Sequence, residues 1–219
     1  EMCIRDSDLL IPALLEHGVE HVQEHLKLSP GIPLKPMLAK PTKAIGEVLD
    51  RFEAHAFTCE YKYDGERAQV HGFRGSDGQL QVRVFSRNSE DMSVKYPDLV
   101  VQIPHCLRDG GENVQSFVLD AEAVAWQPRD EASHMEGRLL PFQELSRRKR
   151  KDVQATDVSV AVKLFGFDLL YLNGVPLLHE ELQRRRALLY SHFVPVPDEF
   201  DYATHRDCST TEEIQTFLD

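Results

Sequence analysis

Between Phe57 and Trp126 the apolar residues fall at every second position, and turn-forming residues separate the runs. Side chains of an extended chain alternate between the two faces of a sheet, so this pattern predicts strands with one buried and one polar face. The spacing predicts strands over Phe57–Tyr63, Ala68–Phe73, Leu80–Ser86 and Phe117–Trp126, with Arg74-Gly75-Ser76-Asp77-Gly78 as a hairpin turn. Ala161–Leu172 reads as a further strand, and Asn173-Gly174 as a tight turn after it. Antiparallel sheets flanked by helices, an α+β arrangement, are the expected result.

Helical spacing brackets this region. Leu10, Ile11, Leu14, Leu15, Val19, Val22 and Leu26 predict an amphipathic helix over residues 8–28 with a break near Gly18, a remnant of a helical unit, whereas Glu1–Ser7 does not extend the periodicity. Prolines 30, 33, 36 and 41 make residues 29–43 an extended linker. Residues 44–219 then form the main domain. It opens with a helix over about 42–54 for which Thr42 is a candidate N-cap. Pro141–Arg150 and His179–Phe193 read as helices, the second with Glu180/Arg184 and Glu181/Arg185 in the favourable i,i+4 order. Ser209, with Glu212 three residues on, announces one more.

A chain of 219 residues supports one main core. Charged residues at 28% and hydrophobic ones at 42% fit an ordinary globular domain and exclude a disordered tail. The apolar runs are too short and too interrupted to span a bilayer. Cys3, Cys59, Cys106 and Cys208 form no Cys-x-x-Cys pair, so neither a zinc site nor a disulfide framework is indicated and a reducing compartment fits. No signal peptide is legible at Glu1, and the natural start is expected to lie elsewhere. A net charge of −11 argues against nonspecific binding of polyanions by the whole surface. The basic runs Arg147–Lys151 and Arg184–Arg186 read first as solvated helix faces.

One strand carries a reactive candidate. Alternation places Thr58, Glu60, Lys62 and Asp64 on one face; Gly65 permits a sharp turn, and Arg67, Gln69 and His71 share a face of the next strand. A lysine amine becomes nucleophilic only when its neutral form is favoured, and the end of a buried strand could supply the necessary desolvation. Taken alone, Lys-x-Asp-Gly is short enough to recur by chance, and an exposed lysine paired with Glu60 or Asp64 is the competing reading. Asp120 and Glu122 share a face as well, which suits either a metal site or a solvent-facing edge. Trp126 reads as core, and Phe165 is as credible a core residue as Phe167 is a functional one.

The runs Cys59 to His71, Phe85-Ser86-Arg87-Asn88, Leu119 to Trp126, Pro141-Phe142-Gln143 and Phe167 to Gly174, in this order, closely resemble the eukaryotic ATP-dependent DNA ligase I family. The stretch Leu28 to Ala39 is similar to that family's junction between its helical DNA-binding domain and its adenylation domain, and Lys95-Tyr96-Pro97-Asp98 also has a replicative-ligase look. The resemblance covers nearly everything from Ile11 to Asp219.

It implies a nucleotidyltransferase (ATP-grasp-like) adenylation fold in which Lys62 attacks the α-phosphate of ATP and carries AMP. It further implies that Glu60 holds the adenine amino group, that Arg67 contacts the nucleotide and the DNA end, and that Arg87 binds ribose and phosphate. Glu122 would contact ribose and help hold Mg2+, and Phe167 would stack on adenine. The implied substrate is nicked duplex DNA, sealed in replication, repair and recombination by a DNA ligase (ATP), EC 6.5.1.1; the implied setting is the nucleus, as a monomer, with a sliding clamp as a possible partner through other regions. The family continues with further motifs and a β-barrel that do not follow Asp219, so an incomplete adenylation domain with little nick-sealing activity of its own is expected. Gln127–Leu140 is longer than the family's turn and reads as a surface loop. RNA ligases and capping guanylyltransferases share the lysine motif, and a noncatalytic DNA-binding module is the alternative of a different class.

Overall fold

The computed structural model describes residues 4–25, 28–42, 45–52, 55, 57–130, 132–148 and 160–218. Helix α1 (Ile4–His25) breaks at Gly18, whose φ of 73° lies outside the helical region. It starts earlier than the apolar spacing predicts. Its Ile11, Leu15 and Val19 are exposed. Helix α2 (Ile45–Phe52) follows the linker; residues 43 and 44 lie outside the described residues, so the expected cap by Thr42 does too.

The alternating region folds into two sheets. Strands β1 (Phe57–Glu60), β2 (Glu66–Arg74), β3 (Leu80–Phe85), β4 (Ser116–Gln127), β5 (Arg138–Leu139), β6 (Ala161–Leu172), β7 (Val175–Pro176), β8 (Phe200–Tyr202) and β9 (His205–Cys208) are joined by helices α3 (Pro97–Gln102), α4 (Gln143–Ser146) and α5 (Leu182–His192), and the chain ends on α6 (Thr211–Leu218). The larger sheet has the order β3-β2-β4-β6-β7, with β5 on the end of β4 and β8 parallel to β6. All its other pairings are antiparallel. The second sheet is β1 against β9.

The large sheet is two-faced. Ala68, Val70, Leu119, Ala121, Ala123, Ala125, Leu164 and Leu169 are fully buried on one face, under α3 and α5. Phe117 extends this core, and its ring lies where a side chain on Gly72 would stand, 2.1 Å from the nearest atom of an added Cβ. Only glycine fits there. The opposite face carries the polar residues of β2 and β4.

Several local expectations change for physical reasons. Strand β1 ends at Glu60, three residues short of Tyr63, because its partner β9 begins at His205. The chain then crosses to the large sheet, where the Tyr63 ring stacks on Phe165 at 4.0 Å. The helix expected over Pro141–Arg150 is the single turn of α4; residues 149 and 150 lie outside the described residues. The Gln127–Leu140 loop is tied down by β5 and by a bridge between Asp130 and Met135.

Neither basic run is a plain solvated face. Arg148 is buried and gives two hydrogen bonds to Asp98, at 2.9 and 2.6 Å, while Lys149 to Lys151 lie outside the described residues. In α5, Arg185 donates to Asp168 at 2.7 and 2.8 Å instead of pairing with Glu181, and Arg186 bonds Glu60 and Thr58. Helix α6 is capped one residue later than expected. The Thr210 hydroxyl accepts from the Glu213 amide, and the Glu213 carboxylate accepts from the amide of Thr210.

Residues 28–42 lie on the polar face of the large sheet. The Gly31 amide donates to His71 Nδ1 at 2.9 Å, and the Leu34 amide donates to Gln69 Oε1 at 2.7 Å. Gln69 Nε2 returns a bond to the Leu34 carbonyl at 3.2 Å. With Nδ1 accepting, the His71 proton sits on Nε2, which donates to Gln69 Oε1 at 2.9 Å. Leu28 and Leu34 cover Val118, Leu170 and Tyr171 beside it.

Burial, helped by the nearby Arg83 charge, pushes the His71 pKa down from 6.5 to about 3. The unfolded chain therefore takes up a proton below pH 6.5 that the folded chain refuses. The stability is fully present above that pH and is lost as the pH falls towards about 3. Urea denaturation at pH 7, 6 and 5 should show His71→Asn losing stability less steeply than the wild type, by up to about 1.4 kcal/mol per pH unit. Parallel losses in the two proteins would contradict this account.

Candidate active site

The site is built on the polar face of β2, β4 and β6. Antiparallel pairing sets Arg67 opposite Glu122 and Gln69 opposite Asp120. Between β4 and β6 the register slips twice: Asp120 faces Asp168 while Ala121 faces Gly166, which leaves Phe167 unpaired in a bulge. A bulge bends the strand and re-aims its side chains. Phe165, before it, is buried against Tyr63 and Val124, whereas Phe167 lines an open cleft. Phe167 still packs at the edge of the cluster that buries Phe165, so the two phenylalanines differ in exposure and not in face.

The cleft measures about 1110 Å³, just above the usual range for small-molecule sites. Lys62, Arg67, Arg87, Glu122 and Phe167 all line it, as does Glu60. The fold thus brings together the six residues to which the family resemblance gives a role at the nucleotide. Their settings differ.

Lys62 lies on the connection between the two sheets and is exposed. The expectation of a lysine at the end of a buried strand is therefore not met, because β1 stops at Glu60 and the following residues have no strand partner. Two contacts fix the connection just after Lys62. Tyr63 Oη meets Thr204 Oγ1 at 3.1 Å, and Gly65 packs on β4 so closely that an added Cβ would stand 2.4 Å from the Ala123 carbonyl oxygen. Lys62 and Glu122 are close enough to attract each other.

Arg67 makes a two-pronged pair with Asp120, through Nε at 2.8 Å and through Nη2, and its guanidinium lies 5.2 Å from the centre of the Phe167 ring. Asp120 is buried, so this pair fixes the guanidinium at the cleft floor. Arg87 is held differently, in an exposed turn after β3. There Ser86 Oγ accepts from the amides of Asn88 at 3.2 Å and Glu90 at 3.1 Å. Glu60 has one carboxylate oxygen engaged by Arg186.

Burial pushes the Glu122 carboxyl up to about 7, opposed by Lys62 and Arg67 and reinforced by Asp120. The carboxylate pair that alternation allows is not available as a pair of ligands, since both Asp120 oxygens bind Arg67. No cluster of three or more His, Cys, Asp or Glu residues that could hold a metal is present among the described residues. One carboxylate, supplemented by the oxygens of a bound phosphate, is still a donor set that suits magnesium.

Sequence reasoning passed over two features of the cleft. Met37, Leu38 and Ala39 of the linker form part of its wall, and Lys95 lines it while donating to both Glu66 oxygens at 2.7 Å. The signal for the first was the buried polar pair Gln69 and His71, whose partners lie some 35 to 40 residues away and are invisible to local pattern.

Gly65 offers a direct check on how the lysine connection is seated. Gly65→Ala should destabilise the fold by about 1–3 kcal/mol, as overpacking against fixed backbone does. Gly46→Ala, in an open stretch of α2, should be neutral or stabilising by up to about 1 kcal/mol. Urea titrations giving equal effects for the two would refute the packing argument.

A family model described as ATP dependent DNA ligase domain matches residues 36–219. Among curated relatives, a DNA ligase 1 of Schizosaccharomyces pombe is 53% identical over 212 residues, covering 97% of this chain and 26% of that protein. DNA ligase 1 of Saccharomyces cerevisiae is 48% identical, with 97% and 26% covered, and that of Drosophila melanogaster is 43% identical, with 97% and 27% covered. The chain spans about a quarter of the length of these relatives. With the match running through the lysine connection, the bulged strand and the cleft between them, the chain belongs to the ATP-dependent DNA ligase domain family.

Proposed function

We propose that this chain is the nucleotide-binding core of a DNA ligase, in which Lys62 takes AMP from ATP so that the whole protein can seal nicks in duplex DNA. The observation that carries this reading is convergence. An amine, two guanidinium groups, a partly buried carboxylate and an aromatic ring reach one cleft from four separate stretches of sequence.

In the proposed first step Lys62 Nζ attacks the α-phosphorus of ATP, the bond to the pyrophosphate oxygen breaks, and the amine gives up a proton. AMP then passes to a 5′-phosphate at a nick, and the 3′-hydroxyl displaces it. Each step is displacement at phosphorus, so positioning and charge neutralisation supply most of the acceleration. Arg67, held rigid by Asp120, and Arg87, at the tip of the Ser86 turn, supply fixed donors to phosphate and ribose oxygens. Phe167, which lines the cleft, stacks on adenine. Glu60 meets the adenine amino group while Arg186 holds its other side. Glu122 contacts ribose and would hold a magnesium ion, which neutralises phosphate charge when bound. Desolvation of the exposed Lys62 falls to the bound nucleotide.

Nicked duplex DNA as substrate, roles in replication, repair and recombination, a nuclear setting and monomeric action belong to the same proposal; for the substrate, similarity to eukaryotic relatives named DNA ligase 1 is the support. A sliding clamp would engage other regions of the protein. No helix among the described residues is long and apolar enough to cross a membrane. A noncatalytic DNA-binding module built on Arg147–Lys151 is disfavoured, because Arg148 is buried against Asp98 and Arg147 is paired with Glu144.

Intact-mass measurement of the full-length protein after incubation with ATP and magnesium should show a gain of one AMP, absent from Lys62→Ala. A gain from GTP instead would indicate a guanylyltransferase. Adenylylation that survives Lys62→Ala would overturn the assignment.

A further inference from the structure

Strand β2 presents Arg67, Gln69 and His71 at alternate positions, and the proposed chemistry uses only the first. Gln69 lies roughly 7 Å along the strand from Arg67, and His71 as far again. Both are buried, with 4% and 0% of their surface exposed. Buried polar groups are costly unless hydrogen-bonded, and these two satisfy each other and the backbone of a single distant segment, at Gly31 and Leu34.

That segment has no strand or helix of its own between residues 33 and 42. Three residues past Leu34 it reaches the cleft, where Met37 and Leu38 lie 94% and 66% exposed along the wall. Exposed apolar side chains lining a cleft suit the face of a purine base. Pro33 and Pro36 restrict the backbone from the anchor to the wall, so a shift at the anchor is transmitted along the segment instead of being absorbed.

We propose that Gln69 and His71 are positioning residues for nucleotide binding, clamping residues 31–34 so that Met37–Ala39 stand as an apolar wall for the base of a nucleoside triphosphate. The proposal rests on the reading of the cleft as a nucleotide site. The neutral imidazole supplies an acceptor at Nδ1, which an asparagine oxygen can replace and a leucine cannot.

ATP binding by the full chain, followed by titration calorimetry, provides one arm of the test. Folded His71→Leu and Gln69→Leu should bind about tenfold more weakly, the effect of losing one net hydrogen bond, while His71→Asn stays within about threefold of wild type. In the full-length protein the half-saturating ATP concentration for lysyl-AMP formation should rise with the saturated rate unchanged. Leucine variants that bind ATP like the wild type, or an asparagine variant no better than leucine, would overturn the proposal. The second arm is amide hydrogen exchange over residues 28–42, which should accelerate in the leucine variants and not in His71→Asn. Unchanged exchange in the leucine variants also overturns the clamp. A wild-type chain that binds no ATP would instead defeat the nucleotide reading, with exchange alone still deciding whether Gln69 and His71 hold the segment.

Discussion

Strand β4 is flanked on both edges, by β6 on one and by β2 and then β5 on the other, and this forces its residues to belong to one face or the other. Leu119, Ala121, Ala123 and Ala125 enter the core, and Asp120, Glu122 and Val124 take the opposite face. The core face carries leucine and small alanines that are fully buried, while the opposite face must accept carboxylates where water is scarce. The site arises from that second obligation. Arg67 answers Asp120, and the remaining carboxylate, Glu122, keeps a raised pKa near the lysine connection. A slip of one residue in this strand would exchange the two faces and remove core and site together.

The charged residues divide into those that hold the fold and those that face the cleft. Arg148 with Asp98 ties the end of α4 to α3, and Arg185 with Asp168 and Arg186 with Glu60 tie α5 to the two sheets. Breaking a buried pair of this kind leaves an uncompensated charge, which costs more than the pair itself contributes. Arg87, on an exposed turn, is oriented by backbone bonds to Ser86 instead of by a buried partner. Arg67 belongs to both groups, since one buried carboxylate both anchors it and fixes its direction at the cleft.

The linker is part of the site by the same logic of satisfied polar groups. It forms no strand, yet its Gly31 and Leu34 amides find partners in two buried side chains of β2, and Leu28 and Leu34 shield that patch from water. Pocket wall and anchor are then one continuous stretch of chain. The acid sensitivity of His71 belongs to this arrangement, because a protonated imidazole could no longer accept from Gly31.

Local chemistry alone determined much of this protein. Period-two alternation gave β2, β3, β4 and β6 nearly to the residue, the glycines marked the turns, and the order of motifs around Lys62 indicated the family before any contact was known. What the pattern could not carry was anything that depends on a partner far along the chain. Strand β1 stops at Glu60 because β9 starts where it does, Phe165 is covered by Tyr63 while Phe167 stays open to the cleft, and basic residues that read as solvated faces are buried by acids from other elements. The linker's place in the cleft wall was hidden for the same reason. Side-chain alternation and turn preference act between neighbours in sequence, whereas register ends, bulges, ion-pair partners and pocket walls are settled by which distant groups meet, and only the tertiary structure brings those together.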